Sequence, residues 1–158
     1  NAYFAGSSAD YESNLLAFIG KGEHSLPFSV FSNRQASVGD FKSLGEFHAG
    51  DYFIPVLQVI TTGDFFWSNP ESNSDGLNHV FASSFHLPDG TSAVLIGFED
   101  IHGGGDLDFN DHMAIFTNVV MAPVPEPSTY LMLLAGLLLV YLSRNRGIGG
   151  SGINPKLT

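Results

Sequence analysis

Apolar and polar residues alternate along most of this chain and stop alternating near its end. Period-two runs recur at Leu15 to Ile19, Phe28 to Phe31, Tyr52 to Ile60, Asp64 to Trp67, His79 to His86, Ala93 to Phe98 and His112 to Val120. Each has the length and the aromatic or β-branched content of a strand with one buried face. Between the runs stand Ser32-Asn33, Asp75-Gly76, Asp89-Gly90 and Gly103-Gly104. These pairs reverse the chain, because Gly accepts positive φ while Asn, Asp and Ser bond their own backbone. Seven or eight short strands with such turns predict an all-β protein, an antiparallel β-sandwich of jelly-roll or immunoglobulin-like kind. Residues 35–50 lack a clear period and read as a loop with one helical turn. Tyr3-Phe4 reads as a flexible end, with strand donation to a neighbouring molecule as the alternative.

From residue 122 the pattern changes. Prolines at 123, 125 and 127 make an extended strip that is poor in hydrogen bonds and joins neither a helix nor a sheet interior. An uncharged apolar run of 13 residues with helical period follows, Tyr130 to Leu142, and Arg144 and Arg146 close it. At about 1.5 Å per residue the run reaches roughly 20 Å, against the roughly 30 Å of a bilayer core, so length alone favours a buried or interfacial helix. The organisation read from the sequence is a β domain over 1–121, a Pro-rich linker over 122–129, an apolar helix with a basic stop over 130–146, and a Gly-rich tail over 147–158.

The tail resembles the PEP-CTERM sorting signal of bacterial exported proteins, in which a Pro-Glu-Pro motif, a short apolar helix and a basic cluster are read by an exosortase. The resemblance implies that Val124, Pro125, Glu126, Pro127 and Ser128 form the recognition and processing strip. It also implies a transmembrane helix that holds the protein to the membrane before processing. Arg144 and Arg146 would then stay on the cytoplasmic side, with residues 1–123 outside the membrane. Family members end shortly after the basic cluster, whereas here Gly147 to Thr158 follow. The chain opens at Asn1 without a leader pattern, which reads as a trimmed, mature N-terminus.

Composition narrows the partners. Hydrophobic residues make up 44% of the 158, with 14 phenylalanines, so one domain with a real core is expected and disorder is not. The stretch from Ser43 to Ser143 holds 12 acidic residues and no Lys or Arg. Such a surface repels nucleic acid and anionic lipid, and it calls for a bound cation where the carboxylates cluster. Cysteine is absent, so neither disulfides nor thiolate zinc sites brace the loops.

The carboxylates cluster between Gly97 and Asp111, where Glu99, Asp100, Asp106, Asp108 and Asp111 lie with Asn110 around the glycines 103 to 105. Consecutive glycines let a loop close tightly around an ion. In an extended segment Asp106, Asp108 and Asn110 share one face while Leu107 and Phe109 turn to the core. Glu99 and Asp100 close the shell from the preceding strand. Oxygen donors in this number suit a hard cation with 6 to 8 ligands at roughly 2.3–2.6 Å, and calcium is the expected cofactor. An EF-hand is excluded, since Asp111 stands at the position of its obligatory Gly and Thr117 at that of its bidentate Glu. The plainer alternative is a turn whose carboxylates cap backbone N–H groups. Asn73 and Asp75 are possible additional metal ligands, with a simple turn as the alternative, and His102 and His112 are possible transition-metal ligands. His79 and His86 read as an exposed strip.

The blocks Gly97-Phe98-Glu99-Asp100 and Gly104-Gly105-Asp106, Asp108-Phe109-Asn110-Asp111 resemble the hallmark of an uncharacterised β-rich domain family of bacterial exported proteins. Phe66-Trp67-Ser68-Asn69-Pro70, Asn73, Asp75-Gly76 and His79-Val80 are similar to that family too, with coverage from Leu15 to Val119. The resemblance implies calcium binding and a surface location, and no reaction. The leading expectation is therefore a non-enzymatic, calcium-stabilised module of the cell surface or extracellular matrix, with exosortase as its processing partner. Alternatives are a filament subunit that associates with itself, using the apolar helix and an N-terminal donor strand, and a module that binds carbohydrate or exopolysaccharide through Phe65-Phe66-Trp67. An enzyme is disfavoured. Glu99 with Asp106 offers a carboxylate pair for glycoside hydrolysis, but no Gly-x-Ser-x-Gly elbow, His-Glu-x-x-His helix or phosphate loop is present.

Overall fold

The computed structural model describes residues 1–20, 27–48, 50–121 and 127–146, the last segment with side chains from 132 to 142. It divides into two compact units, Asn1–Met121 and Ala122–Thr158.

Within the first unit the described strands are β1 (Ala2–Gly6), β2 (Ser13–Gly20), β3 (Phe28–Ser32), β4 (Phe41–Lys42), β5 (Tyr52–Val59), β6 (Phe65–Trp67), β7 (Val80–His86), β8 (Ser92–Phe98) and β9 (His112–Thr117). They form two antiparallel sheets with the orders β4-β1-β9-β8-β7 and β3-β2-β5-β6. The all-β expectation holds. Alternation sets the inner faces: Ala2 and Phe4, Leu15 and Ala17, Leu57 and Val59, and Ala114 and Phe116 are all buried. The sheets meet through these side chains, with the rings of Phe4 and Phe31 5.7 Å apart and those of Phe53 and Phe116 4.6 Å apart. A polar contact also crosses the core, from Ser13 Oγ to His112 Nδ1 at 3.0 Å.

Four expectations change. The N-terminal segment is a paired strand and not a flexible end. β1 lies between β9 and β4 of its own chain, with Ala2 opposite Phe116 and Phe4 opposite Ala114. Five residues are too few to show a period, yet Ala2 and Phe4 bury fully enough to seat the strand. Within residues 35–50 the chain forms the short edge strand β4 instead of a helical turn. His79 precedes β7 and is wholly buried, whereas His86 is exposed, so the two do not form an exposed strip. Phe65, Phe66 and Trp67 do not share a face either. Phe66 enters the core, while Trp67 lies on the other side against Phe18, their rings 5.2 Å apart.

In the second unit α1 spans Pro127–Arg146, so the helix opens at Pro127 and includes Ser128. A proline is tolerated there because the first N–H groups of a helix have no intrahelical acceptor. Arg144 and Arg146 lie in its last turn. Among the described residues no helix is long and apolar enough to cross a membrane, which corrects the transmembrane expectation. The reason is compositional: the 20 residues of α1 measure about 30 Å, but polar residues occupy both ends and the apolar stretch covers only roughly 20 Å. Val124, Pro125, Glu126 and the Gly-rich tail lie outside the described residues.

Phe116 closes the core between the sheets. Phe116→Ala is expected to destabilise the protein by about 3–5 kcal/mol, whereas Val38→Ala, at a side chain 75% exposed, changes stability by under about 0.5 kcal/mol. Chemical denaturation of both variants checks the difference, and equal midpoints would contradict this placement of the core.

Candidate metal centre

β8 and β9 are neighbours with Phe98 opposite His112, so residues 99–111 form the loop that joins them. The loop folds back onto β8. A Cβ at Gly97 would lie 2.1 Å from the carbonyl oxygen of Phe109, so only glycine admits this approach. The segment 106–110 is not the extended row that alternation predicts. Leu107 and Phe109 have φ of 62° and 54°, the left-handed region, and Leu107 is 62% exposed instead of facing the core. Phe109 is half-buried, its ring 6.4 Å from that of Phe81. Alternate left-handed residues curl the chain, and the curl, not a pleat, brings Asp106 and Asp108 toward Glu99.

One oxygen from each of Glu99, Asp106 and Asp108 lies within 4.8 Å of the others, a group that can hold a metal ion. Glu99 forms its floor and is fully buried. Its Oε1 accepts the N–H of Phe109 at 2.5 Å, while its Oε2 is buried with no hydrogen-bond partner. Gly105, at φ 53°, roofs that oxygen so closely that a Cβ there would stand 2.4 Å from it. Burial pushes the Glu99 carboxyl up; the Phe109 amide opposes this, and the charges of Asp111, Asp106 and Asp108 add to it. Asp108 is exposed and also caps the turn, accepting the Asn110 N–H at 3.2 Å on Oδ1 and the Asn110 side-chain amide on Oδ2. The capping alternative therefore describes Asp108 in part. It leaves Glu99 Oε2 unaccounted for.

The other predicted ligands go elsewhere. Asp100 and Asp111 form a separate pair: Asp100 donates its N–H to Asp111 Oδ2 at 3.0 Å, and its own Oδ2 is buried without a partner. Burial, and then the charge of Asp111, push the Asp100 carboxyl up to about 7. Asp111 is also raised, chiefly by burial. Asn110 and Asp111 accept on their backbone oxygens from Ser8 N at 3.0 Å and Ser7 Oγ at 2.6 Å, which ties the loop between β1 and β2 to the acidic loop.

Asn73 and Asp75 act as turn anchors. Asn73 accepts from Trp67 N at 2.7 Å and donates to the carbonyls of Trp67 and Leu77 at 3.2 and 2.8 Å. Asp75 Oδ2 accepts from Gly103 N at 2.8 Å and faces His79 Nε2 at 2.8 Å, while its Oδ1 accepts from Leu77 N at 3.0 Å. The Gly103 amide, ahead of the Leu77 amide and His79, holds the Asp75 carboxyl well below the usual carboxylate range, against a smaller opposing effect of burial. His79 was not legible as a positioning residue. It stacks on Phe66 at 3.9 Å and sets Nδ1 3.3 Å from the Glu99 carbonyl, so Asp75 and His79 together brace Glu99 and the first glycine of the run. The spacing of Asp75 four residues before His79 is the signal that would have found it. His102 is exposed, and His112 is a core residue that burial pushes down to about 4.

Among the described residues no ion pair involves Glu99, Asp100, Asp106, Asp108 or Asp111. Among the described residues the ion pairs are His48 with Asp51 and His79 with Asp75, while Arg34 and Lys42 donate to the backbone carbonyls of Asp10 and Ser29.

Comparison with known families adds two matches. Residues 123–146 match the PEP-CTERM protein-sorting motif, and residues 47–117 match a domain of unknown function (DUF4114). The second match runs from just before β5 to the end of β9 and contains the whole acidic loop, starting later than the expected Leu15. No curated protein and no solved structure matches the chain.

The buried acids fix a pH dependence in ion-free buffer. A carboxyl raised in the folded state binds its proton more tightly there, so its contribution is full below about pH 4 and is lost as pH rises through the folded value. His112 works the other way, its depressed value favouring the fold as pH climbs from about 4 to about 6.5. Above about pH 6.5 the His112 contribution is complete, and in N-terminally acetylated protein, which removes the opposing rise from the Asn1 ammonium that partial burial lowers, Asp100 at about 7 sets the sign. Urea midpoints of the acetylated protein in chelator are therefore expected to fall between pH 6.5 and pH 8, and rising midpoints over that window would refute the assignment.

Proposed function

Starting from a chain that a PEP-CTERM motif marks as exported, processed by exosortase and destined for the cell envelope or surface, we propose that its β domain is a non-enzymatic structural module stabilised by calcium. One observation supports this above all. Glu99 Oε2 is a buried oxygen without a donor, on a carboxylate grouped with those of Asp106 and Asp108 and in no ion pair among the described residues. An isolated buried carboxylate costs several kcal/mol unless it is protonated or meets a cation.

Calcium fits the donor set and the destination. All three side chains offer hard oxygens, and Asp106 and Asp108 are exposed, so water can complete the coordination. Sites on extracellular modules bind calcium at about 10⁻⁴–10⁻³ M, so a site with three carboxylates needs no higher affinity outside the cell. When bound, the ion supplies the positive charge that joins the curled loop to the end of β8. Hydrolysis is a poorer use of the same acids: Glu99 Oε1 is engaged by the Phe109 amide and the whole side chain is buried, away from the surface a polysaccharide would reach.

Calcium at 100 times its Kd stabilises a protein by about 2.7 kcal/mol, or roughly 10 °C in melting temperature for a domain of this size. Thermal melts of the full chain are expected to show that rise with calcium and its reversal by chelator, and Asp108→Ala should lose most of it. A wild-type melting temperature that calcium and chelator leave unmoved would sink the proposal.

A further inference from the structure

We infer that the acidic loop has a second, separate cation site between Asp100 and Asp111, on the side that faces the loop joining β1 and β2. This rests on the cation reading of the Glu99 site and adds to it.

Glu99 and Asp100 are consecutive residues leaving the extended end of β8, so their side chains depart to opposite sides. Each ends in a buried carboxylate oxygen that has no hydrogen-bond partner. Glu99 joins Asp106 and Asp108, whereas Asp100, only 2% exposed, joins Asp111. Two orphaned oxygens that leave the backbone on opposite sides call for two countercharges. The second pair is as short of positive charge as the first, for neither ion pair among the described residues involves Asp100 or Asp111.

The surroundings of this pair are built for a ligand shell. The Asp100 N–H holds Asp111 Oδ2 in place, and Asp10, from the loop joining β1 and β2, adds a third negative charge that acts on Asp100. That loop is already fastened to the acidic loop by Ser7 and Ser8, through the backbone oxygens of Asp111 and Asn110. A divalent cation fits the Asp100 and Asp111 carboxylates with water completing its shell and the charge of Asp10 adding attraction from the second segment, and calcium, as a hard ion accepting carboxylate and water oxygen, is the class expected. Bound there, it would lock the N-terminal strand's exit to the loop that carries the first site.

Native mass spectrometry and equilibrium dialysis of the full chain in calcium test this, with hydrogen exchange over residues 7–12 as a second readout. Two ions per wild-type chain are expected, one in Asp100→Asn and one in Asp108→Asn, and calcium should slow exchange at 7–12 in wild type and Asp108→Asn but not in Asp100→Asn. One ion in wild type, lost in Asp108→Asn and kept in Asp100→Asn, overturns the second site and leaves the first intact. No ion in wild type overturns both. Should Asp100→Asn fail to fold, the wild-type count and its exchange at 7–12 still decide: two ions with slowed exchange support the site, and one ion with unchanged exchange refutes it.

Discussion

Burying a carboxylate without a countercharge is among the least favourable things a protein can do, and this domain does it on two successive residues. Glu99 and Asp100 sit at the end of β8 with one oxygen each shut away from solvent and from donors. The rest of the loop follows from that constraint. Gly97 lets the Phe109 carbonyl approach β8, Gly105 clears the space above Glu99, and the left-handed residues 107 and 109 bend the chain so that acids converge where charge repulsion alone would part them.

The sandwich supplies the rigidity that makes this possible. β8 and β9 are interior strands of their sheet, and both strands bury Phe and Ala or Val against the opposite sheet. The loop between them therefore starts and ends on fixed points. Asp75 and His79 add a brace from outside the hairpin, joining the Gly103 amide to the Glu99 carbonyl through one carboxylate and one imidazole. The fold thus holds the acids close together, and a cation bound among them would relieve their repulsion.

Much of this was legible in the residues. Alternation located the strands from β2 to β9 apart from the two-residue β4, because most of them bury one face, and the Pro-Glu-Pro strip with its apolar run and arginines announced the sorting motif. Strand order was not legible, since pairing across the sheets depends on contacts distant in sequence. β1 was missed because five residues carry too short a pattern, although Phe4 packs on both Phe31 and His112. The acidic loop was recognised by composition, but its six oxygen-bearing residues looked like one shell. Alternation at Glu99 and Asp100, and the unexpected left-handed turns at Leu107 and Phe109, divide them. Asp75 stayed open between a ligand and a turn residue because a carboxylate beside a Gly-rich turn has the same composition whether it binds an ion or an amide.

The most direct test is a crystal structure of the exported protein grown in millimolar calcium, with anomalous scattering recorded to identify the ion. The account predicts a calcium peak within roughly 2.3–2.6 Å of Glu99 Oε2 and of oxygens from Asp106 and Asp108. A well-ordered loop with no ion there, and with Glu99 Oε2 protonated or hydrogen-bonded to the protein, would contradict it.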